Sequence, residues 1–123
     1  MRRVILDTNF ILSCIRQKID FFEEIPLLGL QIIIPEQIIK ELKKIIDSKK
    51  KLHFKEEAKI ALKLLEKNNF KKIDLKTKNV DTGIITLAKS DKDIIIATLD
   101  KEIKTRIQNQ KLIIRGKKKL EII

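Results

Sequence analysis

Uncharged aliphatic runs alternate along this chain with amphipathic segments. The runs predict short buried strands at residues 4–6, 30–34 and 94–98, and a last strand is predicted at 112–115. A weaker strand is predicted at 70–75, where Phe70, Ile73 and Leu75 are the apolar positions. Between these strands, apolar residues recur at helical spacing, most clearly at Ile38, Ile39, Leu42, Ile45 and Ile46. Strands that alternate with helices are typical of a parallel sheet covered on both faces. The pattern predicts an α/β fold, organised as a single domain over residues 1–123.

Polar residues set the expected boundaries of these elements. Asn9 is the predicted N-cap of the first helix, shortly after the first strand. A basic connector is expected at residues 48–55, and the next helix at 56–67. Near the end of the chain, residues 116–119 form a predicted basic turn or tail before an apolar terminus.

The net charge of the chain, +11, indicates what kind of partner it binds. Basic excess on this scale usually marks a polyanionic partner, while solubility alone is the simpler alternative. Without Trp or Tyr, base stacking is a poor mode of recognition. Salt-sensitive contacts to phosphates are instead expected from two basic runs, namely Lys49, Lys50 and Lys51, and Arg115, Lys117, Lys118 and Lys119.

Other classes of protein are disfavoured by what the chain contains. The one cysteine, Cys14, excludes an internal disulfide and a cysteine-based zinc site, and its apolar neighbours indicate a buried position. The lone His53 is expected to be a surface or packing residue. No apolar run is long enough for a signal peptide or a membrane span, so the protein is expected in the cytoplasm.

Four carboxylates occupy positions that such a fold would bring together. Asp7 and Asp100 follow predicted strands, and Asp81 lies at the start of a helix, so all three belong to the edge where parallel strands end. Glu41 lies at the border of the buried face of its helix. Each has a simpler explanation, because the aspartates could be N-caps and Glu41 could be solvated beside Lys44.

The combination nevertheless indicates a specific chemistry. Clustered carboxylates repel one another and raise their pKa values unless a divalent cation neutralises them. Oxygen ligands without Cys or His favour Mg²⁺ or Mn²⁺. Beside a cationic surface, such ions suit phosphodiester hydrolysis, in which metal activates a water and stabilises the leaving oxygen. The sequence has no P-loop or dinucleotide fingerprint to suggest another reaction.

Four segments resemble, in order and spacing, the acidic motifs of the PIN-domain nucleases: VILDTN, PEQIIKEL, VDTGIITLAK and IIIATLDKEIKTRI. The resemblance covers essentially the whole chain. It implies a three-layer α/β/α fold with a parallel sheet of about five strands in the order 3-2-1-4-5. It also implies an endoribonuclease that depends on Mg²⁺ or Mn²⁺.

The resemblance assigns roles to individual residues. It makes the metal-binding and catalytic acids Asp7, Glu41, Asp81 and Asp100. Thr8 or Asn9 would orient Asp7, and Thr98 would lie at the polar edge of the site. The segments DTNFILSCIRQKIDFFEEI and IIRGKKKLEI are more similar to archaeal proteins related to the ribosomal-RNA-processing PIN nucleases than to toxins. Structured RNA, including precursor ribosomal RNA, is therefore the expected substrate.

Two further hypotheses stay open on the sequence. The first is a toxin-type PIN ribonuclease that is held inactive by a small antitoxin. The second is an RNA-binding scaffold whose acids only cap helices. Larger eukaryotic members have an extra N-terminal segment and a cysteine-rich insertion that this chain lacks, so their ribosome-assembly contacts are not assumed. A homodimer formed through the apolar C-terminal end is also expected from the resemblance.

Overall fold

The computed structural model describes residues 1–116 and 118–123. Strands and helices alternate over most of this length, as the apolar pattern predicts. In chain order the elements are β1 (Arg2–Leu6), α1 (Thr8–Arg16), α2 (Phe21–Leu27), β2 (Leu30–Pro35), α3 (Glu36–Ile46), α4 (Leu52–Lys67), β3 (Lys71–Ile73), α5 (Val80–Ser90), β4 (Ile95–Ala97), α6 (Lys101–Arg106), β5 (Leu112–Arg115) and β6 (Lys119–Ile122).

A four-stranded parallel sheet lies at the centre, with the strand order β3-β2-β1-β4. Its middle strands are buried on both faces over most of their length, which explains the aliphatic runs at residues 4–6 and 32–34 in the sequence. In β1, for example, Val4, Ile5 and Leu6 are fully buried. The predicted α/β class and parallel sheet are confirmed.

Helices cover both faces of this sheet. Ile5 and Ile33 are partners on adjacent strands, and they line a pocket together with Gly83 and Leu87 of α5. Side chains alternate along a strand, so Val4 and its neighbours of the same parity lie on the opposite face. The helices α1, α3 and α4 pack against one another as the second helical layer, while α5 contacts α6.

The fifth strand differs from the expected order 3-2-1-4-5. Its approach to β4 is limited to a bridge between Ile96 and Lys111, with the Ile96 amide donating to Gln110 O at 3.1 Å. From there β5 pairs antiparallel with β6 in a separate two-stranded sheet. The physical reason is that β4 is only three residues long and offers little edge, whereas β6 matches β5 along its whole length.

Two predicted boundaries were wrong. The first helix begins at Thr8 and is capped by Asp7, not Asn9, because the carboxylate that ends β1 accepts the Thr8 amide at 2.8 Å. Helix α4 begins at Leu52, which shortens the basic connector. Phe54 packs against the core and lies 5.4 Å from the Arg16 guanidinium, so this turn is helical despite its basic sequence.

The C-terminal end of the chain is only partly exposed. Leu120 and Ile122 of β6 pack in part against the core, while Ile123 is about half exposed. Within the part of the chain that the structure describes, no helix has the length and apolar character needed to cross a bilayer.

Candidate active site

Asp7 is placed by the pairing of the central strand β1 with β4. Leu6 of β1 is the partner of Ala97 in β4, and the Asp7 amide donates to Ala97 O at 2.9 Å. The next residue after β4, the fully buried Thr98, donates its hydroxyl to Asp7 Oδ2 at 2.8 Å. Asp7 Oδ1 accepts the amide of Thr8. Both carboxylate oxygens are therefore held by the ends of the strands.

Burial makes the charge on Asp7 costly. The residue is 7% exposed, and this desolvation is the main cause that raises the pKa of its carboxyl. The hydrogen bonds from Thr98 and from the Thr8 amide partly offset the increase. The nearby charges of Glu41 and Asp81 raise the pKa further. Asp7 thus lies in a field of like charge that a cation would relieve.

Glu41 reaches the same place from α3. It is half-buried, and its Oε1 accepts the hydroxyl of Thr8 at 2.5 Å. The contact with Lys44 that the simpler explanation offered is absent from the ion pairs of the described residues, all of which use arginine. Glu41 is therefore directed toward the end of β1 by a neutral donor, the Thr8 hydroxyl.

Asp100 and Asp81 complete the group from two helix N-termini. Asp100 caps α6, where its Oδ1 accepts the amides of Glu102 and Ile103, and its own amide donates to Thr98 Oγ1 at 3.1 Å. Asp81 lies in the first turn of α5. Partial burial and then the charges of Asp100 and Glu102 raise the pKa of Asp81.

All four carboxylates line one open cleft of about 380 Å³. Its lining consists of Asp7, Thr8, Asn9, Glu41, Lys44, Ile45, Ser48, Lys50, Asp81 and Asp100. An aspartate can therefore cap a helix and also line the cleft, as both Asp7 and Asp100 do. Lys44 and Ser48 were not among the residues expected in the cleft. Lys44 could have been predicted there from the sequence, because it follows Glu41 by three residues and so lies on the same face of the helix.

The residues predicted to bind phosphates are dispersed. Among those that the structure describes, Lys50 alone lines the cleft, whereas Lys49, Lys51, Lys118 and Lys119 are exposed elsewhere. Arg115 is paired with Glu121 at 2.6 Å across β5 and β6. Lys117 lies outside the described residues. That the two basic runs contact phosphates therefore stays a prediction.

The oxygen ligands of the cleft can be compared with the needs of a divalent ion. Within the described residues, no three Asp, Glu, His or Cys side chains are already arranged to hold a metal. Mg²⁺ does not require three, because it usually keeps several waters and binds one or two carboxylates. Asp7 and Asp100 use some of their lone pairs for capping, and each carboxylate has more. The residues therefore fit a hydrated divalent ion.

Other nucleophile or base candidates lie elsewhere. His53 is exposed and stacks on Phe54, with ring centroids 4.0 Å apart. Burial raises the pKa of the Cys14 thiol to about 12, so this residue stays protonated at neutral pH. Both findings agree with the packing roles expected for these residues.

The chain is similar to known proteins both in sequence and in structure. A family model described as a PIN like domain matches residues 4–117. The curated protein Ribonuclease VapC4 of Methanocaldococcus jannaschii is 31% identical over 128 residues, which cover 99% of this chain and 97% of that protein.

Solved structures give the same fold. The PIN domain endonuclease Utp24 superposes with a TM-score of 0.78 and 27% identity, covering 98% of this chain and 90% of that one. VapBC2 from Rickettsia felis, bound to a DNA fragment from its promoter, is similar in fold, with a TM-score of 0.54, 17% identity, and coverage of 89% of this chain and 98% of that one.

The family prediction made from the four acidic motifs is confirmed by these matches. The family model alone spans nearly the whole chain and includes every acid of the cleft. Its start, at Val4, coincides with the buried strand that leads into Asp7. The chain belongs to the PIN-like domain family.

Proposed function

We propose that this protein is a divalent-metal-dependent endoribonuclease that hydrolyses phosphodiester bonds of RNA. One observation carries the proposal: four carboxylates from four separate segments converge on one cleft of a strongly basic protein. Membership of the PIN-like domain family supports it, as do the names of the relatives, a ribonuclease and an endonuclease.

The four acids and two threonines have distinct tasks under this proposal. Mg²⁺ or Mn²⁺, held among Asp7, Glu41, Asp81 and Asp100 directly or through its waters, would supply an activated water and stabilise the leaving oxygen. Thr98 orients Asp7 through its hydroxyl, and Thr8 orients Glu41.

The substrate proposed for this cleft is structured RNA, with precursor ribosomal RNA as the specific example. The likeness to the endonuclease Utp24, at 27% identity over 98% of the chain, supports an endonucleolytic reaction. Lys44 and Lys50 line the cleft beside the acids and would neutralise phosphates next to the scissile one. Such an enzyme would act in the cytoplasm.

The test is cleavage of a structured RNA by the wild-type protein and by Asp7→Asn, with Mg²⁺ or Mn²⁺ and then with chelator. We expect cleavage only by the wild type and only with metal. Equal cleavage by both proteins, or cleavage that persists in chelator, would contradict the proposal.

A second candidate is a ribonuclease regulated by a bound antitoxin. The observation that favours it is the 31% identity to Ribonuclease VapC4 over almost the full length of both chains. This candidate predicts that expression of the wild type arrests growth, that Asp7→Asn is harmless, and that a small protein encoded next to the gene relieves the arrest. Harmless expression of the active enzyme would count against it.

A binding protein without catalysis is distinguished by thermal unfolding. A metal that binds only the native state raises the melting temperature, and the increase grows with metal concentration. The nuclease proposal predicts this increase for the wild type. A scaffold would bind RNA while its melting temperature stays insensitive to divalent ions.

A further inference from the structure

A groove of about 710 Å³ adjoins the acidic cleft on one side. It runs between α3 and the segment 74–80, and it shares Glu41 and Lys44 with the cleft. We call it the lysine groove, because four lysines line it: Lys40, Lys44, Lys76 and Lys78. The groove therefore leads directly away from the proposed reaction centre.

The two walls of the lysine groove are held together by specific hydrogen bonds. On α3, the Gln37 side chain donates to Asp74 Oδ1 at 2.6 Å and accepts the Leu75 amide at 3.1 Å. Asp74 Oδ1 also accepts the amide of Lys76 at 2.8 Å. This bond holds Lys76 at a φ of 58°, a conformation that non-glycine residues rarely adopt. The segment that presents two of the lysines is thus preorganised.

Gly83 allows the same segment to approach α5. A Cβ at this position would lie 2.8 Å from Thr77 Cγ2 and 2.9 Å from Leu75 Cβ, both closer than real contacts. The segment is consequently fastened on one side by Gln37 and packed on the other against α5. A fixed wall costs little ordering entropy when a ligand binds along it.

Charge differs between the two sides of the acidic cleft. On the lysine side, the four lysines outnumber the three acids of the lining, Glu36, Glu41 and Asp74. The ion pairs of the described residues engage none of these lysines, and Asp74 Oδ1 accepts hydrogen bonds from Gln37 and from a backbone amide. On the other side, a smaller pocket between α5 and α6 contains Asp81 and Glu102, and its Arg106 is already paired with Glu102 at 2.8 Å. A polyanion that crosses the cleft is attracted to the first side and repelled from the second.

We propose that the lysine groove binds the RNA strand on one side of the scissile phosphate through its backbone. The inference rests on the proposed nuclease function. It adds the side of the acidic cleft on which the RNA strand lies. Lys40, Lys76 and Lys78 contact successive phosphates, while Lys44 lies where the groove meets the cleft. Because these are phosphate contacts, binding is insensitive to base sequence and steeply dependent on salt.

The experiment measures the affinity of an oligouridylate for the Asp7→Asn protein across a series of salt concentrations, since this background cannot cut the probe. The groove variant adds Lys40→Gln, Lys76→Gln and Lys78→Gln. A matched control adds Lys59→Gln, Lys63→Gln and Lys67→Gln, which removes the same charge from exposed positions on α4.

We expect the groove variant to bind roughly 10- to 100-fold more weakly than its parent. Its salt slope should be smaller by about 2, because each single-strand phosphate that a lysine no longer neutralises reduces the slope by ~0.7. The affinity of the control variant should fall much less. Equal decreases in the two variants, or an unchanged salt slope in the groove variant, would overturn the assignment.

The same substitutions in the wild-type background separate this inference from the proposed function. The groove variant should raise KM for RNA more than it lowers kcat, whereas an Asp7 substitution abolishes turnover. If the wild type cuts no RNA with any divalent ion, the nuclease proposal fails, while the oligouridylate measurement still decides whether the groove binds RNA.

Discussion

The hydroxyl of Thr8 donates to Glu41 Oε1 at 2.5 Å and joins the first residue of α1 to the middle of α3. These residues are 33 positions apart in the chain. Thr8 also gives its amide to Asp7 Oδ1, so one residue positions two of the four acids. The geometry of the cleft thus depends on a neutral side chain as well as on the carboxylates themselves.

Thr8→Val should disorder Glu41 with little effect on the fold, because valine has the same shape but donates no hydrogen bond. We expect a decrease of about 10- to 100-fold in divalent-ion affinity or cleavage, typical when a residue that orients a ligand is removed. Thr8→Ser keeps the hydroxyl and should retain most activity. Equal defects in the two variants would show that the hydroxyl is not what matters. Titration of the metal-dependent rise in melting temperature provides the measurement.

Asp7→Asn should stabilise the metal-free protein while it removes the response to metal. The amide keeps an oxygen for the Thr8 amide but carries no buried charge. Melting temperatures in chelator and in Mg²⁺ or Mn²⁺ give both quantities. Asp93→Asn is the matched control, since this exposed residue lies at the opposite end of β4 and should change neither. A metal-free Asp7→Asn protein less stable than the wild type would contradict this account of burial.

The stability of the metal-free protein should depend on pH through Asp7. Burial raises its native pKa above the ordinary value, so the native state binds the proton more tightly than the unfolded chain does. The contribution of Asp7 to the free energy of unfolding is therefore fully present below the ordinary pKa and is lost as pH rises through the native pKa. Urea unfolding from mildly acidic to neutral pH, compared between the wild type and Asp7→Asn, isolates it. A difference between the two proteins that does not change with pH would refute the prediction.

Gly83→Ala tests the close packing between α5 and the segment 74–80. Alanine favours a helix by up to ~1 kcal/mol over glycine, but its Cβ would collide with Thr77 and Leu75. We expect the collision to dominate, with a net destabilisation of about 1–3 kcal/mol in urea unfolding. Adding Thr77→Ser removes the Cγ2 atom and keeps the oxygen that accepts the Asn79 amide, so it should restore part of the stability. A stabilised single variant would mean that the segment moves freely.

Much of this fold was predictable because buried parallel strands leave a strong pattern. Residues 4–6, 30–34 and 94–98 are uncharged since helices cover both sheet faces, and a carboxylate at the end of such a run is conspicuous. Asp7 and Asp100 could therefore be assigned to one edge of the sheet. Glu41 could be singled out because it interrupts an otherwise regular amphipathic helix.

Other features depend on contacts that have no local signature. The helical start of α4 comes from the packing of Phe54 and its contact with Arg16 from α1, which a basic run conceals. The pairing of β5 with β6 depends on how little edge β4 offers. The lysine groove exists because Gln37 binds Asp74 across 37 positions, so no inspection of lysine runs could have located it.

The four acids of the cleft come from four segments, and the last of them follows β4. A nascent chain on the ribosome therefore has no complete centre until Asp100 has emerged and β4 has paired with β1. Proteolysis between α3 and α5 would likewise separate Asp7 and Glu41 from Asp81 and Asp100. Under the proposed assignment of the four acids, an incomplete chain or such a fragment lacks at least one of them and should not cut RNA.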